Sequence, residues 1–385
     1  MSDLAVVVIG YNRLDSIKRL LKSLLCVDYR GDAVDLIISI DYSGAHNVLD
    51  YANQFEWPYG IKKVYTYPKR MGLRNHILHC GDFVQDYEAI AVFEDDLYAA
   101  PGFYHYMKEA VSFYKDDDRI AGISLYSYLC NVNIKRNFQA AASRFDTYFL
   151  QLAQSWGQVW TKNQWNDFRD WYDKNKNRKP DKEKYPEFIV SWPKTSWLKY
   201  HIMYCVENKK YFVYPYVALA TCFSDEGEHT AVKSNLYQVP FASEVKEVYY
   251  FATLDTDAIC YDVFFERQGL GRFVGIKDSE LCVNLYGTKR YIKEKYQLTM
   301  QSFSRKVLKS YALELRPQEM NIIAQIPGGD IFLYDMDIEQ KQENGNNLDI
   351  KQFLYYQRIT NEWLLLVKVI LLKLREKILF RNDRK

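Results

Sequence analysis

Three consecutive carboxylates, Glu94-Asp95-Asp96, close a run of small and β-branched apolar residues, Ala89-Ile90-Ala91-Val92-Phe93. Acids are poor strand formers, and neighbouring carboxylates repel one another unless a cation or a set of donors holds them. An apolar run of this length reads as a strand buried on both faces. Open α/β sheets bind their ligands beyond the carboxyl ends of such strands. The triplet therefore has the chemistry of a divalent-cation site for Mn²⁺ or Mg²⁺, which take hard oxygen ligands. The plain alternative is a solvated acidic loop, or a helix start that favours negative charge. Polar groups recur at other strand ends. Tyr11-Asn12-Arg13 follows the apolar run 4–9, Asp41 follows 35–40, and Arg74 opens a helical stretch. Asp41 can accept from an imide N–H such as uracil N3. Arg13 and Arg74 can fork onto phosphate oxygens. Asp95 can accept from ribose hydroxyls, and Glu94 and Asp95 together flank Asp96, which can hold a cation bridging a diphosphate. Each residue alone is turn or cap chemistry; their recurrence at successive strand ends points to one ligand.

The elements that must position these groups follow in order. Residues 4–9 form a strand, and Leu14, Ile17, Leu20, Leu21, Leu24 and Leu25 then keep helical spacing, with Lys18, Arg19 and Lys22 on the other face. Strands over 35–40, 63–67 and 89–93, with a helix over 72–84, complete a β-α-β-α-β-α-β series. That series implies an α/β fold with a mostly parallel, Rossmann-like sheet and helices on both faces. Neither GxGxxG nor GxxxxGK[ST] occurs, so no dinucleotide fingerprint or P-loop is present.

At Glu94-Asp95-Asp96-Leu97, followed by Ala100-Pro101-Gly102-Phe103 and Tyr106, the chain resembles the GT-A glycosyltransferases. More narrowly it is similar to the N-acetylglucosaminyltransferase I family and related bacterial sugar transferases. The resemblance implies a UDP-sugar donor, Asp96 as metal ligand, Asp41 on the uracil and Arg13 on phosphate. It also implies that the Trp156-Gly157 loop lies over the donor sugar and acceptor. Where the family carries Asp-Asp after a tryptophan, this chain has Leu198-Lys199 after Trp197. The base is then sought in the acidic segment Asp225-Glu226-Gly227-Glu228-His229. There Glu226 or Glu228 is the candidate catalytic carboxylate, and His229 the candidate second metal ligand. Trp165 and Trp171 read as core.

The chain divides on this reading into a nucleotide-sugar half (1–100), an acceptor half of the same domain (101–235), a C-terminal extension (236–340), and a linker with a terminal helix (341–385). In the last, WLLLVKVILLKLREKILF is apolar over more than half the helix, and residues 361–385 carry seven Lys/Arg against three acids. A helix of that kind suits peripheral contact with an anionic inner membrane, or a core or dimer role. Net charge of +2 gives no reason to expect nucleic acid. Seven cysteines without CxxC or zinc spacing read as reduced core residues. With no basic-then-apolar leader, the expected location is cytoplasmic. The expected activity is a metal-dependent, inverting hexosyl or N-acetylhexosaminyl transfer from a UDP-sugar to a glycan or lipid-linked acceptor, in bacterial surface polysaccharide synthesis. The rivals are a nucleotidyltransferase and a noncatalytic, membrane-associated nucleotide-sugar-binding scaffold.

Overall fold

The computed structural model describes residues 3–226, 235–255, 258–341, 348–356, 366–372 and 374–375. Strands β1 (Leu4–Gly10), β2 (Asp35–Ile40), β3 (Lys62–Thr66) and β4 (Ala89–Glu94) pair in parallel in the order β3-β2-β1-β4. Every residue of β1 and β2 is buried, as two-sided cover requires. Helix α1 (Leu14–Leu25) returns over one face, burying Ile17, Leu20, Leu21 and Leu24. Helices α2 (Asn47–Gln54) and α3 (Leu73–Asp82) make the other crossovers. The α/β class, the four opening strands and their helices match the sequence pattern, with boundaries shifted by a residue or two.

Beyond β4 the chain makes the short strand β5 (Leu97–Ala99), helix α4 (Phe103–Tyr114) and strand β6 (Ile120–Ser124). A two-residue ribbon, β7 (Cys130–Asn131) with β8 (Arg136–Asn137), leads to β9 (Thr147–Leu150) and β10 (Gln158–Thr161). Helix α5 (Lys162–Asn175), opened by a Thr161/Gln164 capping box, precedes the single turn α6 (Glu187–Val190), helix α7 (Leu198–Glu207) and strands β11 (Tyr211–Pro215) and β12 (Ala220–Cys222). Strand β10 inserts antiparallel between β4 and β6, and β13 (Cys260–Tyr261) closes the far edge, giving nine strands in the order β13-β9-β11-β6-β10-β4-β1-β2-β3. Strands β5 and β12 form a separate ribbon.

The C-terminal extension is a second unit. Strands β14 (Leu281–Asn284), β15 (Tyr296–Thr299), β16 (Arg305–Tyr311) and β17 (Ile331–Glu339) pair in the order β14-β15-β17-β16. They enclose their own apolar core with Leu270, Val274 of α8 (Gly271–Val274) and Ile322 of α9 (Met320–Ile323). Val239, Tyr261, Val263 and Phe265, from the stretch expected to open the extension, pack in the core that includes the main sheet. Residues 236–255 and 258–267 carry little regular structure, so hydrophobic period cannot assign them. Helix α10 (Leu348–Tyr356) rests where the two units meet, with Tyr356 stacked on Tyr286 at 6.4 Å.

Of the basic apolar tail, only residues 366–372 and 374–375 are described. They are helical, with Val367, Ile370, Leu371 and Leu374 exposed. No described helix is long and apolar enough to cross a membrane.

His201 on α7 shows how tightly the main core is sealed. Its ring stacks on Phe168 at 4.0 Å and meets Trp160, Trp197 and Phe212. Burial pushes its pKa down to about 3. The unfolded chain protonates this histidine near its ordinary value, whereas the folded chain resists, so its neutral form contributes stability that is lost as pH falls from about 6.5 toward 3. Urea titrations of His201→Phe should show a shallower loss of stability on acidification, with the variant gaining on the order of 3 kcal/mol relative to the parent by pH 4. Parallel pH profiles would contradict the assignment.

Candidate active site

Parallel pairing sets the site. Ile9 pairs with Glu94 and Gly10 with Ile40, so the residues after β1, β2 and β4 emerge at one edge of the sheet. Tyr11, Asn12, Arg13, Asp41, Glu94, Asp95 and Asp96 all line one cavity of about 260 Å³ there, the convergence that the strand-end pattern required.

Arg13 is its electrostatic centre. Its guanidinium forks onto Asp95, through a very short Nη2 contact to Oδ1 and an Nε donation to Oδ2 at 3.3 Å, and Nη1 donates to Asp96 Oδ2 at 3.2 Å. The same Nη1 reaches the Asp225 carbonyl at 3.3 Å. Asp95 and Asp96 are buried. Burial raises the Asp95 pKa to about 6 against the opposing pull of Arg13. Glu94, part-buried beside them, rises to about 8, first by desolvation and then by the charges of Asp96 and Asp95. Three packed carboxylates with one guanidinium leave an excess of negative charge, the condition under which a further cation binds.

Asp96 offers that cation a hard carboxylate oxygen. The Cys222 thiol lies 3.9 Å away, and burial holds it protonated by raising its pKa to about 12. Among the described residues no three His, Cys, Asp or Glu side chains are arranged to hold a metal by themselves. Asp96 can thus hold a hard divalent ion only if most of its ligands come from outside the described residues.

Asp41 is buried, and its oxygens already accept from the backbone N–H groups of Tyr42 and Met71 at 2.8 Å and Gly72 at 2.9 Å. It lines the cavity while pinning the start of α3, which leaves one lone pair for a ligand N–H.

Arg74 does not join the cluster, contrary to expectation. Its donors go to the Tyr172 hydroxyl at 2.6 Å and to the carbonyls of Lys194 and Lys176 at 3.0 and 2.9 Å, bracing α3 against α5 and the loop before α7. Arg70, four residues earlier, takes that place: it lines the cavity, its guanidinium 5.0 Å from the Tyr11 ring centre.

Trp156 is at the site, stacked on Tyr237 at 4.8 Å and against Tyr126 at 4.7 Å. Gly157 is required by the packing around it. Its φ is +87°, and a Cβ there would fall 2.9 Å from that of Ala220. Trp165 is core, as expected, and Trp171 packs against it.

Glu226 is exposed, next to the segment where Glu228 and His229 lie outside the described residues. Asp225, one residue earlier, returns the chain to α1: its carboxylate accepts from Ser16 at 2.7 Å and pairs with Arg19, whose guanidinium sits 3.7 Å over Phe223. Sequence reasoning missed Arg70, Tyr237, His76 and Cys222 in the lining. His76 had no visible signal; it accepts or donates to Ser39 at 2.8 Å and burial lowers its pKa to about 4.

A second cavity of about 470 Å³ adjoins the first. The two share Leu73, Glu94, Trp156 and Tyr237 as a common wall, and Tyr128, Phe188, Trp192 and Trp197 line the far side. Glu94 is the one carboxylate on both linings among the described residues. Lys199, where the resembled family has an acid, points elsewhere, its Nζ donating to the Trp192 and Pro193 carbonyls at 3.3 and 2.7 Å.

No protein-family model matches this chain, and no curated protein matches it in sequence. Among solved structures, it is similar to the mannosyltransferase PcManGT from Pyrobaculum calidifontis in complex with GDP-Man and Mn²⁺, at 15% identity over 42% of this chain and 45% of that one, with a TM-score of 0.30. It is also similar to S. aureus TarS 1–349 in complex with UDP-GlcNAc, at 15% identity over 60% of this chain and 61% of that one, TM-score 0.37. A third is GalNAc-T7 with UDP, GalNAc and Mn²⁺, at 11% identity over 56% and 42%, TM-score 0.37. The chain thus spans less than two thirds of the length of each.

Proposed function

We propose that the protein is a metal-dependent glycosyltransferase of the GT-A type, moving a sugar from a UDP-sugar to a glycan or lipid-linked acceptor with inversion. The observation that carries this reading is the junction at Glu94. On one side lies a cavity with the chemistry for a nucleoside diphosphate; on the other lies an aromatic cleft that suits the apolar faces of sugar rings.

Asp41 presents an acceptor oxygen to the base, and Asp95 to the ribose. Arg13 and Arg70 supply positive charge to the diphosphate, where charge develops as the sugar leaves. A divalent cation on Asp96, when bound, supplies Lewis-acid stabilisation of that leaving group. Glu94, facing both cavities, takes the proton of the attacking acceptor hydroxyl. A carboxylate within reach of the acceptor hydroxyl can take its proton as a general base. Glu94 is thus proposed as the base beside the two carboxylates expected from the sequence, Glu226, which is exposed, and Glu228, which lies outside the described residues.

The test is a thermal-shift screen of nucleotide sugars with and without Mn²⁺, followed by assay of UDP release without acceptor. A UDP-sugar that raises the melting temperature only with the metal, and is slowly hydrolysed, is the expected result. A donor bound but never turned over would favour the noncatalytic scaffold, and no nucleotide binding at all would end the proposal.

A further inference from the structure

A third cavity, of about 760 Å³, lies between the main body and the C-terminal sheet, and it meets the aromatic cleft at Phe188, which lines both. Continuity extends beyond that one ring. Val132 and Ile189 on the cleft are followed or preceded directly in sequence by Asn133 and Phe188 on the third cavity. The three spaces therefore run in series from the carboxylate cluster, past Glu94, over the aromatic cleft and out along the seam between the two units.

The character of the lining changes along that path. The cleft presents Trp156, Trp192 and Trp197, whereas the third cavity presents hydroxyl and amide groups from Asn133, Thr288, Gln301 and Gln352. Two of these are unsatisfied inside the protein: Asn133 Oδ1 and Thr288 Oγ1 are buried atoms without a hydrogen-bond partner. A buried polar atom left unpaired is unfavourable, and a ligand hydroxyl that pairs with it relieves that cost. Arg290 is paired with Glu187 at the rim, and Arg136 is the remaining charged residue on the lining. Hydroxyl and amide groups beyond a run of aromatic rings match a chain of hydroxyl-rich rings and do not match an acyl chain.

We propose that this third cavity is a distal acceptor subsite, and that the acceptor is an oligosaccharide whose far units lie between the main body and the C-terminal sheet. The C-terminal unit then selects acceptors by length. The inference rests on the transferase reading for its direction, since the end of the chain at Glu94 is the one extended.

Two substitutions test it, both away from the proposed chemistry. Thr288→Trp fills the cavity, and Asn133→Leu removes the unpaired oxygen without filling it. The probe is an array of neutral oligosaccharides graded from monosaccharide to hexasaccharide, read alongside UDP release without acceptor and a thermal melt of each variant. The parent chain should retain longer members preferentially. Thr288→Trp should lose that preference, and Asn133→Leu should weaken it by about tenfold, while UDP release stays at the parent level. Absence of retained glycans, equal retention of all lengths, or a folded Thr288→Trp that binds long glycans as the parent does would overturn the subsite. A parent that releases no UDP would instead remove the transferase reading, so the two failures are distinct.

Discussion

Replacing Asp96 by Asn should cut donor turnover roughly a thousandfold and abolish its response to Mn²⁺, without lowering the melting temperature of the ligand-free protein. Asn keeps the volume and one carbonyl oxygen, so packing against Cys222 and the Phe223 N–H donation to the Asp96 carbonyl at 2.9 Å survive. What disappears is one of three crowded carboxylates, together with the charge that Arg13 Nη1 meets at 3.2 Å. Glu94 is pushed up by Asp96 first among its charged neighbours, so removing that charge relieves repulsion. Arg13 keeps its fork on Asp95. The protein holds the cluster at a cost to its own stability, as sites built for a ligand do. Differential scanning fluorimetry with UDP-sugar, with and without Mn²⁺, separates the outcomes. A variant as stable as the parent that no longer gains from metal and donor together is expected. A variant that melts lower but keeps its metal response would make Asp96 a structural residue.

How far the site could be read from sequence depends on which interactions are local. The ends of β1, β2 and β4 were legible because one physical fact, a buried apolar run stopping at polar residues, identifies both the strand and its ligand edge. Parallel pairing then brings Arg13, Asp41 and Glu94-Asp95-Asp96 together. Arg70 and Arg74 were not separable in the same way. Both flank the start of α3, and the choice between them is made by the chain reversal at Gly72, with φ of +77°, and by the distant carbonyls of Lys176 and Lys194. Tyr237 comes from a segment with no hydrophobic period at all, and its place at the site is set by its stacking on Trp156. The antiparallel insertion of β10 is equally non-local: in the sequence only the Trp156-Gly157 loop stands out there, and pairing with β4 and β6 makes 158–161 a strand and fixes its direction. Glu94 illustrates both sides. Its membership of the acidic triplet was plain, but its double exposure, to the diphosphate cavity and to the aromatic cleft, is a property of how Trp156 and Tyr237 close around it.

That double exposure makes Glu94→Gln the most discriminating substitution. Two roles are open to a carboxylate at this junction: holding a hydroxyl of the donor sugar, or accepting the proton of the attacking hydroxyl. Gln preserves shape and can still accept a hydrogen bond from a sugar hydroxyl, so a purely binding role predicts a modest rise in donor KM with kcat nearly intact. It cannot accept a proton. The base role therefore predicts a fall in kcat of about 10²–10⁴-fold with donor KM and the metal-dependent thermal shift unchanged. Acceptor-independent hydrolysis offers a further check, because water enters through the same cleft and needs the same base, so it should fall in parallel with transfer. Exchange of exposed Glu226 for Gln should leave both rates within a fewfold of the parent. If instead Glu226→Gln is the dead variant and Glu94→Gln merely binds donor less well, the proton goes to the acidic segment after β12, and the junction carboxylate is a donor-sugar contact.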